Sequence, residues 1–167
     1  MKALALAAIA TVAMTAPTLA APAPKTSAPP APAAAPAAPD PAAFLAQNAK
    51  APGVTTLPSG LQYKVVKAGD AKGPSPKPGD AIKVHYEGKL ADGTVFDSSF
   101  QRGKPVLMPL GGLVPAWMEA LPLMHPGDEW ILYVPPDLGY GPEGQGPIPP
   151  NSVLIFRIQF LGMLSAD

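Results

Sequence analysis

The chain has no cysteine among its 167 residues, which excludes a disulfide framework and a thiol nucleophile. Charge of either sign is not in excess, because 12 Lys and Arg residues balance 12 Asp and Glu residues. Without a basic stripe to neutralise phosphates, nucleic-acid binding is not expected. The two histidines, His85 and His125, lie far apart without the spacing of metal ligands. We therefore expect neither a metal site nor a cofactor.

Long hydrophobic runs are also missing, apart from one Ala-rich stretch at the N terminus. Residues 1–20 contain a single charge, Lys2, followed by an apolar run and the segment Thr18-Leu19-Ala20, which has small residues at its first and last positions. This pattern is typical of a cleavable secretory signal, and the run is too short and too weakly apolar for a membrane span. The sequence predicts a soluble periplasmic protein of a Gram-negative bacterium, with no membrane span in the mature chain.

Proline, by contrast, is abundant, and residues 21–41 are almost entirely alanine and proline. Dense proline removes backbone donors and favours extended structure, so residues 21–55 are predicted to form a disordered tether. At most about one helical turn is expected, near residues 44–48. Because an interior proline disfavours a helix by about 3 kcal/mol, no helical dimerisation segment is expected, and the sequence predicts a monomer.

The folded domain is predicted to cover residues 56–167. Alternating apolar residues predict strands, and Pro115 begins an apolar pattern of helical period that predicts one helix over 114–121. Strands and helices do not alternate as βαβ units in this order. It therefore predicts an α+β fold, a curved antiparallel sheet that covers one short helix. The strands are predicted near 61–66, 81–90, 94–98, 105–110, 129–134 and 152–161.

The most informative segment is the strand that contains Tyr86. Alternation over residues 82–87 places Tyr86 on the apolar face, and the Asp92-Gly93 turn brings Phe96 and Asp97 back beside it. An aromatic ring with a polar tip and a carboxylate at the rim of an apolar face predict a binding pocket. Since a carboxylate beside apolar residues needs a partner, Arg102 is the expected one.

Other interpretations of these residues are weaker. A Ser98–His85–Asp97 triad is disfavoured because His85 points to the opposite strand face from Tyr86 and no nucleophile elbow is present. The glycine-rich stretch 141–146 leads into prolines and a strand, so a surface loop is expected in place of a phosphate site. Taken singly, each aromatic residue is also compatible with a plain core position.

From about residue 56 to 164 the chain resembles the FKBP-type peptidyl-prolyl cis–trans isomerases, particularly their secreted bacterial branch. The resemblance implies the same fold as the pattern above, and isomerase activity on X–Pro bonds of polypeptides during the folding of exported proteins. Six segments carry it, in the family's order: 57–63, Val84-His85-Tyr86-Glu87-Gly88, 92–99, 117–121, Gly139-Tyr140-Gly141 and 148–151.

By position, the resemblance implies three catalytic residues, Asp97, Tyr140 and Tyr86. It also implies a substrate-binding pocket with a tryptophan floor, and ligands that are proline-containing unfolded or partly folded polypeptides and macrolide inhibitors. The implied lining residues are Phe96, Arg102, Val106, Leu113, Val114, Trp117, Ile148 and Phe156.

Three positions depart from the family pattern, namely Val106, Ala116 and Pro147. They bear on substrate preference and macrolide affinity more than on the class of activity. Two alternatives remain open at this point. One is a periplasmic chaperone or peptide-binding module with this fold and little isomerase activity, and the other is an envelope spacer in which the tether is the functional part.

Overall fold

The computed structural model describes residues 39–165, which form one antiparallel sheet over a short helix, as the sequence predicts. The elements in chain order are α1 (Pro41–Asn48), β1 (Val54–Thr56), β2 (Gln62–Lys67), β3 (Ala81–Leu90), β4 (Val95–Ser98), β5 (Val106–Pro109), α2 (Pro115–Ala120), β6 (Glu129–Val134) and β7 (Leu154–Leu164). The strand order is β1-β2-β6-β7-β3-β4, and β5 pairs with the first half of β3. The predicted α+β class is confirmed.

The β3–β4 hairpin forms where the Asp92-Gly93 signal predicts it. The amide of Gly93 donates to the carbonyl of Leu90 (2.9 Å), and Gly93 has a φ of +92°, a conformation that glycine adopts without strain. The register then places Asp97 opposite Gly88 on β3. This hairpin brings the carboxylate to the inner face of the sheet, beside the phenol of Tyr86.

The core lies between the inner face of the sheet and α2. Pro115 is the first residue of the helix, where its missing N–H has no partner to lose, and Ala116, Trp117 and Ala120 face the sheet. Alternating residues of β6 and β7 supply the opposite side. The fully buried members from these two strands are Leu132, Val134, Leu154, Ile158 and Phe160.

The N-terminal boundary of the folded part differs from the prediction. Helix α1 has eight residues, about two turns, and it is held on β2 by side-chain hydrogen bonds. Asn48 Nδ2 donates to Gln62 Oε1 (2.8 Å), and Gln62 Nε2 donates to the carbonyl of Leu45 (2.9 Å). The ring of Phe44 also packs near Tyr133 of β6, with ring centroids 6.5 Å apart.

The predicted disordered tether is therefore wrong for residues 41–55, where α1 and β1 are folded onto the sheet. The physical reason is tertiary, since the docking partners Gln62 and Tyr133 lie far along the chain. The predicted signal, residues 1–20, and residues 21–38 of the tether lie outside the described residues. Between residues 39 and 165, the structure has no helix with the length and apolarity needed to cross a membrane.

Candidate functional site

A cavity of about 300 Å³ opens on the inner side of the sheet, beside α2. Residues from β3, β4, β5, β7 and α2 contribute to its walls, together with two loops. Most of these residues are apolar, and the polar ones are Asp97, Gln145 and the two tyrosines. The lining residues are Tyr86, Phe96, Asp97, Met108, Gly112, Leu113, Val114, Trp117, Tyr140, Gln145 and Phe156.

Trp117 packs between the rings that form the walls of the cavity. It is 5% exposed and contacts Tyr86 and Phe156 edge to face, at centroid distances of 5.2 and 5.4 Å. Phe96 continues the cluster with an edge-to-face contact to Phe156 at 5.7 Å. Because each ring contacts a neighbour in a favourable geometry, the aromatic walls support one another and the cavity is preformed without a ligand.

Gly88 makes this packing possible. A Cβ atom added at this position would lie 2.6 Å from the ring of Phe96 and 2.8 Å from the ring of Phe156, too close for either ring to stay in place. Gly88 is therefore required because the two rings fill the space that a side chain would need. The sequence alone does not reveal this role. Any larger residue here would displace one wall of the cavity.

The polar side of the cavity is a three-residue network. The hydroxyl of Tyr86 donates to Asp97 Oδ2, and Arg102 Nη1 donates to Asp97 Oδ1 in an ion pair. Arg102 Nη2 also donates to the Tyr86 hydroxyl (3.2 Å). Both carboxylate oxygens of Asp97 thus have donors, which compensates for its position beside apolar rings.

This environment changes the pKa values of the site. Burial opposes ionisation of Asp97, but hydrogen bonds from Tyr86 and Arg102 outweigh it and hold the pKa of this carboxyl below its usual range. Burial, followed by the hydrogen bond to Asp97, raises the pKa of the Tyr86 hydroxyl. The pKa of Tyr140 is raised by burial and then by the negative charge of Asp97. At neutral pH the site therefore contains one carboxylate and two neutral phenols.

These shifts predict how the site responds to pH. Asp97 has a lowered pKa, so its contribution to stability is present above the ordinary aspartate pKa and is lost as pH falls through the lowered value. The two tyrosines have raised pKa values, so their contribution is lost as pH rises from the ordinary tyrosine range. We expect the ligand affinity of the cavity to be constant between about pH 5 and about pH 9. Peptide titrations across this range would contradict the network if affinity followed a single ionisation near pH 7.

The structure brings eight of the predicted site residues together in the cavity lining and leaves three outside it. Arg102 is at the rim, where it pairs with Asp97. Val106 lies at the start of β5 opposite Val84, and Ile148 is 6% exposed and packs into the core. Ile148 is buried because two backbone hydrogen bonds with Gln145 fold its loop inward. The roles of these residues in binding stay predictions.

Three lining residues were not predicted. Met108 lies on the same strand face as Val106, which the resemblance implies as a lining residue, so the period-two alternation of a strand could have extended the lining from Val106 to Met108. Gly112 has a φ of +70° and leaves an open gap in the wall, for which no sequence signal exists beyond the Gly-Gly pair. Gln145 belongs to the glycine-rich loop that was interpreted only as a surface loop, but its exposed side chain reaches the cavity.

The alternative catalytic arrangement is not formed. His85 Nδ1 lies 3.0 Å from Ser99 Oγ, whereas the hydroxyl of Ser98 points to Glu87 Oε2 (3.4 Å). Asp97 is engaged by Tyr86 and Arg102 on the other face of the sheet. Within the described part of the chain, no three His, Asp or Glu side chains come together as a metal site would require.

Comparison with known proteins agrees with this geometry. A family model described as FKBP-type peptidyl-prolyl cis–trans isomerase matches residues 73–161, and one described as the domain amino terminal to that isomerase matches residues 10–65. The chain is 50% identical over 122 residues to the peptidyl-prolyl cis–trans isomerase Mip of Coxiella burnetii, covering 72% of this chain and 52% of that protein. It is 48% identical over 122 residues to the FKBP-type 22 kDa isomerase of Escherichia coli, covering 72% and 58%.

Solved structures show the same similarity. FkpA from Escherichia coli superposes with a TM-score of 0.72 at 41% identity, over 76% of this chain and 59% of that one. A peptidyl-prolyl cis–trans isomerase from Pseudomonas syringae superposes with a TM-score of 0.69 at 32% identity, over 75% of this chain and 91% of that one. The chain spans about half the length of the curated relatives it matches.

Proposed function

Because this chain belongs to the FKBP-type peptidyl-prolyl cis–trans isomerase family, we propose that it catalyses rotation about the peptide bond before proline, with no covalent intermediate. The observation that carries the proposal is the preformed aromatic cavity with Trp117 packed among its rings and a neutralised carboxylate at one side. A cavity of about 300 Å³ is large enough for a proline ring and its flanking peptide groups.

The chemistry of the rotation explains why an apolar cavity is useful. Rotation faces a barrier of about 18–20 kcal/mol, which comes from amide resonance. The twisted transition state loses that resonance, so its carbonyl is less dipolar than in the planar cis and trans forms. Transfer from water into an apolar site disfavours the more dipolar planar forms. The twisted state is therefore stabilised relative to them, and such differential stabilisation accelerates the reaction.

Each part of the site has a role in this mechanism. Trp117 seats the proline ring, and the backbone N–H of Val114 and the hydroxyl of Tyr140 hold the carbonyls on either side. Neither donor has a hydrogen-bond acceptor within residues 39–165, so both are available to a peptide. Phe96, Leu113 and the remaining apolar walls exclude water from the rotating bond.

The Asp97 network orients the site and takes no part in proton transfer. Its carboxylate keeps the Tyr86 phenol in place against Trp117 through the hydrogen bond described above. Because burial is outweighed by the hydrogen bonds from Tyr86 and Arg102, which hold the pKa of the Asp97 carboxyl below its usual range, the carboxylate is a weak base and does not take up a proton at neutral pH. The resulting field in the cavity favours one orientation of the substrate carbonyl.

A protease-coupled assay on X–Pro tetrapeptides tests this function, with NMR exchange spectroscopy as a second readout. The expected result is a rate enhancement that saturates with peptide and is competed by a macrolide. A panel of residues before proline would define substrate preference, including the effect of Val106 and Pro147. Binding of peptides without any acceleration would overturn the enzyme proposal and favour the peptide-binding or chaperone alternative.

We further propose that the substrates are exported proteins, that the mature protein lies in the periplasm, and that it is a monomer. The signal-like pattern of residues 1–20 supports export, and the proline density of residues 21–41 supports the absence of a helical dimerisation segment. Light scattering is expected to give the monomer mass for the mature chain, and a stable dimer would contradict it. Terminal sequencing of the protein from a periplasmic extract would locate the cleavage site.

A further inference from the structure

The side chains of one turn, residues 100–103, reach both faces of the sheet. The carbonyl of Phe100 accepts from the N–H of Gly103 (3.0 Å), so residues 100–103 form a β-turn in which Gly103 has a φ of +66°. Phe100 is the first residue of this turn and Arg102 is the third. The side chain of Arg102 reaches the cavity network, whereas that of Phe100 lies on the outer face of the sheet.

On the outer face, the ring of Phe100 contacts two side chains. The imidazole of His85 stacks on its ring at 4.8 Å and 16°, and the guanidinium carbon of Arg157 lies 5.0 Å from its ring centroid. Arg157 is in turn fixed by Glu129, whose Oε1 accepts from its Nε at 2.7 Å. We call His85 and Arg157, the two side chains that contact the Phe100 ring, the outer-face clamp.

Ser99, the residue before the turn, is hydrogen-bonded to the backbone of Tyr86. Ser99 is fully buried, and its Oγ accepts from the N–H of Tyr86 (2.7 Å) and donates to the Tyr86 carbonyl (3.2 Å). The N–H of Ser99 donates to the same carbonyl (2.8 Å). His85 Nδ1 is also within 3.0 Å of Ser99 Oγ. The segment before the turn is thus fixed, and Phe100 is the next point of attachment.

Arg102 needs such support. Its side chain is 49% exposed and that of Asp97 is 40% exposed, and ion pairs with this exposure contribute little because ordering a long side chain costs entropy. The guanidinium has bonds to Asp97 and Tyr86 and lies 5.7 Å from the Tyr86 ring centroid, and a fixed backbone lowers the entropy cost of keeping all of these contacts. We propose that Phe100 is a positioning residue for the cavity: gripped by the outer-face clamp, it holds the 100–103 turn so that Arg102 stays on Asp97 and Tyr86.

This inference rests on the proposed function for its activity readout, but a second readout does not depend on activity. Carbon-13 NMR titration of the Asp97 carboxyl reports directly on the contact with Arg102. In Phe100→Ala, the pKa of Asp97 is expected to rise toward the ordinary aspartate range, and kcat/KM on an X–Pro peptide to fall by about three- to tenfold. Phe100→Tyr, which keeps the stacked ring, is expected to retain wild-type values of both.

Two further comparisons separate positioning from general stability. Phe44→Ala removes an aromatic ring from the same outer face, and it is expected to lower the melting temperature without moving the pKa of Asp97 or kcat/KM. In an Arg102→Met background, Phe100→Ala is expected to cause no additional loss of kcat/KM, because the group it positions is already absent.

An unchanged pKa of Asp97 in folded Phe100→Ala would overturn the proposal, and so would full additivity with Arg102→Met. If Phe100→Ala fails to fold, Phe100→Leu keeps the apolar volume but not the ring stack. The same carbon-13 titration of Asp97 in this variant then tests the proposal. If the wild-type protein proves inactive, the proposed function fails, while the Asp97 titration in the two variants still tests the clamp.

Discussion

Replacing Trp117 with alanine is expected to lower kcat/KM on X–Pro peptides by about a hundredfold, the equivalent of about 3 kcal/mol. The substitution removes the ring that Tyr86 and Phe156 contact edge to face, so both the seat for the proline ring and the support of the walls are lost. Because the residue is 5% exposed, the variant should also lose about 3–5 kcal/mol of unfolding free energy. Urea denaturation and the peptide assay measure the two effects separately.

The second tryptophan provides a matched control. Trp130 is 6% exposed and stacks on Tyr63 at 4.4 Å, but it lies outside the cavity lining. Trp130→Ala should therefore cost similar stability with kcat/KM close to wild type at temperatures where it is folded. If Trp117→Ala kept wild-type activity, or if both variants lost activity equally while folded, the cavity would not be the catalytic site.

Replacing Asp97 with valine is expected to reduce kcat/KM by about tenfold while the fold is retained. Valine keeps the branched shape but removes both acceptors, which frees the Tyr86 hydroxyl and leaves Arg102 without its partner. If Asp97 orients the site, the remaining activity should be independent of pH through the neutral range. A proton-transfer role would instead give a much larger loss and a rate that follows one ionisation.

Asp92→Ala is the control for loss of a carboxylate from the same hairpin. Asp92 lies in the turn between β3 and β4, where it caps the N–H of Thr94 (2.8 Å), and it is not part of the cavity lining. Its removal should leave kcat/KM within about twofold of wild type. Equal effects of the two substitutions would show that charge near the hairpin matters and that the specific contact of Asp97 with Tyr86 does not.

Local sequence patterns were sufficient to predict the position of a side chain where its neighbours in sequence determine its environment. Strict alternation over β3 placed Tyr86 on the inner face, and the Asp92-Gly93 turn returned Phe96 and Asp97 to it, as the structure has them. Arg102 was identified as the partner of Asp97 because a carboxylate in that position needs one. The same kind of local reasoning failed for α1, since its hydrogen bonds with Gln62 are invisible in the sequence of the helix itself.

The sequence by itself determined strands β2 to β7 and helix α2 in their chain order, the Tyr86–Asp97 pair, and the family, because these depend on periodicity, turn chemistry and ordered motifs. Only the tertiary structure decided which apolar residues line the cavity, since Val106 and Met108 share a strand face but only Met108 is among the lining residues. It also decided that Gly88 must lack a side chain and that Phe100 contacts both His85 and Arg157. These contacts join strands that are distant in sequence, and their distances are set by how the sheet curves and packs.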